Sequence, residues 1–545
     1  MLEEIITGNI VDVENRRIFF GNIIFSSGLV KEIKEISEED STANYIIPGF
    51  IDSHIHIESS MLVPSKFAEL AVVHGTTGTI SDPHEIGNVC GVKGVHYMIE
   101  DSKQVPVKFH FGAPSCVPSI NQDKAGAIID ADAVGALMIH SDIYYLSEMM
   151  NYPGVIFSDE EVLKKLSLAK KSGKPIDGHA PGVVGEDAIK YFGSGIGTDH
   201  ECVTAEEALF KLNLGVKILI REGSAARNFD ALIPLFETHY QNMMFCSDDK
   251  HPDSLVSGHI NELCKRAVTA GCDVFKVLQA ACINPILHYN MRNGKLQVND
   301  PADAVVVNNL KDFKVLRTFI DGKLVADNGH ALFETKPANQ INNFTCSLKD
   351  ASEFNINAIG NDDMKVIEAL DGQLITNHLN VAPTIVDGNI MSDITQDILK
   401  IVVVNRYGSN KIGKGFVKGT GIKAGAIASS VSHDAHNIVA IGVTNEDIAA
   451  AINLVITTQG GVAAAIGNEQ HVLPLKIAGL MSDESGIIVA ENYSAIERFA
   501  KEKMGSTLFA PFMTLSFLAL PVIPHLKIID GGLFDVDKFE FTSLQ

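Results

Sequence analysis

Short apolar runs separated by turn residues mark the first 47 residues: Ile5-Ile6, Ile10-Val11-Asp12-Val13, Arg17-Ile18-Phe19-Phe20 and Asn22-Ile23-Ile24-Phe25. They read as strands that need a partner sheet to bury one face. Candidate partners lie far downstream, in Ala304-Val305-Val306-Val307 and in Val315 to Ile320 before an Asp321-Gly322 turn. Both flanks are therefore expected to join in one small β-domain, residues 1–47 with 291–335. Between them, apolar strand-like runs alternate with helix-like segments. The first ends at Pro48-Gly49-Phe50-Ile51-Asp52-Ser53-His54, and the others are Gly78 to Ser81, Val107 to Phe111, Ile143 to Leu146, Pro175 to Asp177, Gly195 to Thr198, Val216 to Ile220 and Met243 to Cys246. Glu160 to Lys171 shows a helical spacing of apolar residues at Val162, Leu163, Leu166, Leu168 and Ala169. Eight such units within residues 48–290 predict an α/β fold, a (β/α)8 barrel with its active site at the C-terminal ends of the strands. A doubly wound sheet is the competitor, but no Gly-x-Gly-x-x-Gly opens a helix after the first strand. Residues 336–354 read as a polar linker, and 355–545 as a separate C-terminal α/β-type domain.

Composition narrows the partners. The chain has 545 residues, long for one hydrophobic core, with 46% hydrophobic and 20% charged residues, so it has ample apolar surface to bury. Its 44 Lys plus Arg stand against 67 Asp plus Glu, and a net charge of −23 opposes binding to nucleic acid or to anionic membranes. Eight cysteines without a Cys-x-x-Cys pair read as reduced, mostly buried thiols of a cytoplasmic protein. The start, Met1-Leu2-Glu3-Glu4-Ile5, is acidic where a signal peptide is basic. Met504 to Leu526 has no formally charged residue, but Pro511, Pro521 and Pro524 interrupt it, so buried strands and loops are expected there rather than a membrane helix.

The chemistry-bearing residues gather at the strand ends. His54 and His56 are two apart, so a strand points both imidazoles to one side, where they can share a metal ion. Taken alone, the pair also suits a half-buried strand. What changes the reading is the series that follows: Asp82, His84 and Glu85, then Glu148, His179, His200 and Asp248. A binuclear centre needs about four neutral nitrogen donors, a bridging carboxylate, and a further carboxylate that binds metal and moves protons. This series contains them.

With those residues in view, the chain resembles the amidohydrolase superfamily. The resemblance rests on Pro48-Gly49-Phe50-Ile51-Asp52-x-His54-x-His56, on one histidine after each of the fifth and sixth strands, and on Asp248 after the eighth. Binuclear members often bridge their metals with a carboxylated lysine after strand four; here Glu148 occupies that place. A second departure is Asn299-Asp300-Pro301-Ala302-Asp303, where a Gly often precedes the x-x-Ala-Asp of the returning strand. His54-Ile55-His56-Ile57-Glu58-Ser59-Ser60, Ser81 to Val89 and Ser247-Asp248-Asp249-Lys250 further resemble the bacterial adenine deaminases, over essentially the whole chain.

The resemblance implies a metallo-dependent hydrolase barrel, with His54, His56, Glu148, His179, His200 and Asp248 as metal ligands. It implies two divalent metal ions, manganese first and iron or zinc as alternatives. Adenine is the implied substrate, deaminated to hypoxanthine and ammonia by a metal-bridged hydroxide attacking C6, in a homo-oligomer. Asp248 is the expected proton relay and Glu85 the candidate for protonating a ring nitrogen. Asp82 is expected beside the metals or against the substrate, Glu58 behind the ligands. Either Glu85 or Asp82 also suits a structural hydrogen-bonding role. His433-Asp434-Ala435-His436 can coordinate a metal if helical, but closing the pocket across the domain boundary fits it better. Gly413 to Gly421 lacks phosphate-loop spacing and reads as tight turns. Another cyclic amidohydrolase or aminopurine deaminase is the alternative within this fold, and a catalytically silent scaffold the remote one.

Overall fold

The N-terminal strands β1 (Glu4–Asp12), β2 (Arg17–Ser26) and β3 (Leu29–Glu38) form an antiparallel meander. In β2, exposed or half-buried residues alternate with buried ones, as expected when one face lies on a core. The structure, a computed structural model, describes residues 3–224, 226–360 and 362–545. Strand β4 (Tyr45–Pro48) pairs parallel with β1 and leads into the barrel.

Eight parallel strands follow: β5 (Phe50–Ile55), β6 (Thr76–Ser81), β7 (Lys108–Ala113), β8 (Ile143–Met149), β9 (Ile176–Gly178), β10 (Thr198–Asp199), β11 (Lys217–Arg221) and β12 (Met243–Cys246). Each run read from the sequence overlaps one of these strands, the run Gly195 to Thr198 only at Thr198. Helices cover the outside and side chains fill the inside, so β6 and β12 are buried along their whole length. The barrel closes where Asp248, just past β12, bridges to Ile55 of β5. Helix α1 (His84–Cys90) begins three residues beyond β6 and carries His84 and Glu85 in its first turn.

Strands β13 (Ala304–Val307), β14 (Val315–Ile320), β15 (Lys323–Asp327) and β16 (His330–Ala331) return to the N-terminal sheet. The order is β16-β15-β14-β13-β4-β1-β2-β3, one eight-stranded sheet built from both flanks. Residues 332–350 have no regular structure, yet they are tied down: Thr335 Oγ1 donates to Glu69, Asn343 Nδ2 to Gly126 O, and Thr345 N–H to Arg406 O.

The C-terminal region holds a second eight-stranded sheet, from Met364–Ala369 to Glu469–Pro474, with one parallel and otherwise antiparallel pairings. Antiparallel neighbours need only short connections, which leaves this region richer in strand than in helix. Helix α2 (Asn445–Thr457) packs Ile448, Ile452 and Val455 onto that sheet, its first turn capped by the Thr444 side chain. The uncharged stretch Met504 to Leu526 corrects one expectation. It includes a buried helix, α3 (Pro511–Phe517), where strands and loops were expected; Pro511 sits in the first turn, where its missing N–H costs no hydrogen bond. No described helix is long and apolar enough to cross a membrane.

Candidate active site

The mouth of the barrel is built by strand ends. Asp52 in β5 accepts the Ser247 N–H over 3.0 Å, and its other oxygen lies 2.7 Å from His259 Nε2, so the first and last strands are fixed together beneath the site. Two residues on, His54 projects into the barrel, and His56 follows just past the strand end. Glu148 lies in β8, His179 follows β9 and His200 follows β10. Asp248 has left-handed backbone (φ 57°), an uncommon state for a residue with a side chain. Its N–H donates to His54 O over 2.9 Å and its carbonyl accepts from the His56 N–H, which over-determines the turn and aims the carboxylate inward.

The six donors meet. His56 Nε2 is 3.1 Å from Asp248 Oδ1 and 3.4 Å from Glu148 Oε1. Glu148 Oε2 lies 2.9 Å from His179 Nδ1 and 3.1 Å from His200 Nε2. Glu148 thus turns Oε1 to His56 and Oε2 to His179 and His200, with His54 Nε2 3.9 Å from Oε2, so both its oxygens face ring nitrogens, as a bridging carboxylate's would. Burial disfavours its charge, but His179 and His200 outweigh that and hold its pKa well below the usual range. Burial likewise opposes ionised Asp248, and Arg221 overcomes it.

The buried ring nitrogens of His54 and Nε2 of His179 have no hydrogen-bond partner in the protein. Orphaned polar atoms at this depth are costly, and cations placed among them remove the cost. These residues fit a pair of divalent ions, and they fall into overlapping groups of closely spaced ligand atoms.

Around the donors stands a layer that sequence reasoning only partly reached. Arg221, the last residue of β11, lies 2.6 Å from Asp248 Oδ2 and also pairs with Glu201. A charged residue ending an apolar strand was the available signal. Tyr191 accepts the His179 N–H over 2.9 Å and donates to Met149 O over 2.7 Å, pinning two ligand-bearing strand ends. Asp82 accepts the His84 N–H and sits 3.2 Å from His84 Nδ1, so it orients that ring. Glu58 Oε1 accepts the Ile86 N–H behind the site.

Glu85 points to the C-terminal region, one oxygen on His433 Nδ1 and the other on His436 Nε2. The segment 433–436 is a turn rather than a helix. Burial raises the Glu85 pKa, but His433, His436 and His84 dominate and keep it ionised. Burial works against protonated His433, yet Glu85 and Asp249 lift its pKa to about 9.

A narrow cavity opens above the donors, and its two sides differ in origin. The barrel gives the metal donors and Met150. The C-terminal region gives Leu374, Phe517, Leu520 and Ile523, with the His433 ring stacked on Phe517 at 4.7 Å and 2°. The barrel region, residues 45–325, matches the amidohydrolase family, and the adenine deaminase of Methanosarcina barkeri is 48% identical over 98% of both chains. This chain belongs to the adenine deaminase family of amidohydrolases.

Residues 373–540 match the adenine deaminase C-terminal domain, the part that supplies the apolar side of the cavity. The adenine deaminase of Salinibacter ruber is 48% identical over 99% of this chain and 98% of its own. Among solved structures, a β-aspartyl dipeptidase from Fervidobacterium islandicum is 14% identical with a TM-score of 0.47, covering 62% of this chain and all of its own. That likeness is too distant to bear on function.

Proposed function

We propose that this chain hydrolyses adenine to hypoxanthine and ammonia, with His54, His56, Glu148, His179, His200 and Asp248 holding two divalent metal ions. The observation that carries the reading is the placement of Glu148 among the four histidines, beneath a cavity walled on its other side by apolar residues. Relatives named adenine deaminases, similar from end to end, support the substrate. Manganese is the proposed metal, since nitrogen and carboxylate donors without thiolates suit it; iron or zinc would be accepted by the same set.

Two bound divalent ions would supply Lewis acidity and a water acidic enough to act as nucleophile near neutral pH. The side chains do the rest. Asp248, ionised and aimed by Arg221, takes the proton of the attacking water and passes it toward the departing amino group. The carboxylate also stays in place because its backbone is locked to His54 and His56. Glu85 shares a proton with His433, whose raised pKa keeps that proton available near neutral pH; this pair delivers it to a ring nitrogen as the ring loses aromaticity and is reprotonated by the second proton of the attacking water, released as the C6 carbonyl forms. Asp82 keeps His84 in register between Glu85 and Glu148, with His84 Nε2 3.5 Å from Glu85 Oε1 and Nδ1 3.6 Å from Glu148 Oε1. Phe517, Leu520 and Ile523 exclude water from the flat faces of the base.

Ammonia release from adenine, 2,6-diaminopurine, cytosine and guanine by protein reconstituted with manganese, iron or zinc tests the reading. Adenine should be the preferred substrate and the apoprotein inert. Turnover of a pyrimidine with none of adenine would remove the proposal.

A further inference from the structure

The proposed reaction leaves one buried group of the cavity without a task. Asp434 lines it and is 2% exposed, yet its Oδ2 has no hydrogen-bond partner in the protein. An unpaired carboxylate oxygen at that depth is costly and suggests a ligand that completes it.

Its position says which part of a ligand. The His84 ring stands between Asp434 and Glu148, with Nε2 3.8 Å from Asp434 Oδ1 and Nδ1 3.6 Å from Glu148 Oε1. Asp434 is therefore set off from the metal donors by one imidazole and its two contacts. With the amino group turned to the metal donors, the five-membered ring of a purine would lie on the side of the cavity away from them, where Asp434 stands. Free adenine has only two kinds of hydrogen-bond donor, the exocyclic amino group and the N–H of the five-membered ring. In the proposed reaction the amino group faces the metal donors. An unpartnered carboxylate oxygen can accept, so the ring N–H is the donor left for it. Phe517 and Leu520 flank the same space and hold the base flat.

We propose that Asp434 accepts the ring N–H of the free base, so that purines substituted at that nitrogen, nucleosides included, are rejected. The assignment rests on the deamination reading of the same cavity. It makes the C-terminal region a specificity element as well as a wall. A site built to receive an N–H discriminates strongly against an analogue lacking it, because the acceptor is then buried unpaired.

The test measures kcat and KM for adenine, with inhibition by 7-methyladenine and 9-methyladenine, on metal-reconstituted wild type, Asp434→Ala and Asp434→Asn. Metal content and thermal midpoint are read on the same preparations. In the wild type at least one of the two methylated bases should bind much more weakly than adenine. Asp434→Ala should raise KM for adenine about tenfold to a hundredfold, keep both metals and narrow the gap between adenine and the excluded base. Asp434→Asn retains one carbonyl acceptor and should fall between; if the alanine variant does not fold, the asparagine variant decides by the same ratio. An unchanged KM with unchanged discrimination overturns the assignment, as does a wild type that binds all three bases equally. Loss of metal from the variants overturns it too, since Asp434 would then be a ligand. A wild type that leaves adenine untouched removes the deamination reading first, a result distinct from the others.

Discussion

The Asp248 N–H donates to the His54 carbonyl over 2.9 Å, and the Asp248 carboxylate lies 3.5 Å from His54 Nε2. The contact that closes the barrel is therefore also the one that sets two of the proposed metal donors beside each other. The hydrogen bonds of this closure offset the strain of the left-handed Asp248 backbone, so the carboxylate is held by main-chain geometry rather than by its own rotamer alone.

Glu148→Gln removes the negative charge among the histidine donors while nearly keeping its volume. Wild type reconstituted with manganese is expected to hold about two ions per chain, and the variant about one, with activity reduced a hundredfold or more. Elemental analysis and ammonia release on one preparation check this. A fully active wild type with a single ion, or a two-metal active variant, would count against the bridging role.

Arg221→Met leaves the Asp248 and Glu201 carboxylates buried without their cation. Breaking a buried ion pair from one side costs about 3–5 kcal/mol, so the thermal midpoint should drop by several degrees and turnover should fall as Asp248 loses its aim. Differential scanning calorimetry and steady-state kinetics read both. An unchanged midpoint and rate would mean the pair contributes neither stability nor orientation.

Glu85→Gln should keep both metals and lower kcat by roughly a hundredfold or more, the scale of a lost proton donor. The structure adds a companion: His433→Gln should show the same pattern, and the double variant should lose little beyond either single one, because the two residues share one proton path. Full additivity of the two losses would separate their roles. A Glu85→Gln protein that loses metal would make Glu85 a ligand.

Lys527 is buried, with Nζ 2.7 Å from Leu374 O and 3.0 Å from Phe517 O, and burial lowers its pKa to about 7. In the unfolded chain it titrates near about 10.4. Between those values the unfolded state binds more protons, so this residue makes stability rise with pH from about 7 to about 10. Below pH 7 the folded state bears the full cost of a buried charge. Lys527→Met should therefore be most favoured relative to wild type at pH 6–7, and the difference in thermal midpoint should shift toward wild type as pH rises to 9.5. A difference that stays flat with pH would show that Lys527 titrates normally in the folded protein.

Much of the barrel and its donors was legible in the chain. Each parallel strand is buried on both faces, which leaves a short apolar run, and the catalytic groups of such a barrel sit at the ends of those runs. Position alone offered the series His54, His56, Asp82, His84, Glu85, Glu148, His179, His200 and Asp248, and the family resemblance singled out six of them as ligands. Glu85 was visible as a carboxylate after β6 and His433 to His436 as a motif suited to closing the pocket, but their pairing was not, because the two segments lie some 350 residues apart and nothing local marks the approach. Arg221 was passed over because its significance lies in Glu201 and Asp248, two other strand ends.

The sequence by itself determined what depends on local period: eight buried runs, the flanking strands, and a histidine or carboxylate at the close of several of them. Only the tertiary structure decided what depends on closure and docking. It joined β12 to β5 so that Asp248 reached His54, set the two oxygens of Glu148 against histidines from three different strand ends, and brought Asp434, Phe517 and Leu520 over the barrel mouth. Those contacts join residues distant in the chain, and their energies come from burial and charge at a shared site, which no repeat along one strand or helix records.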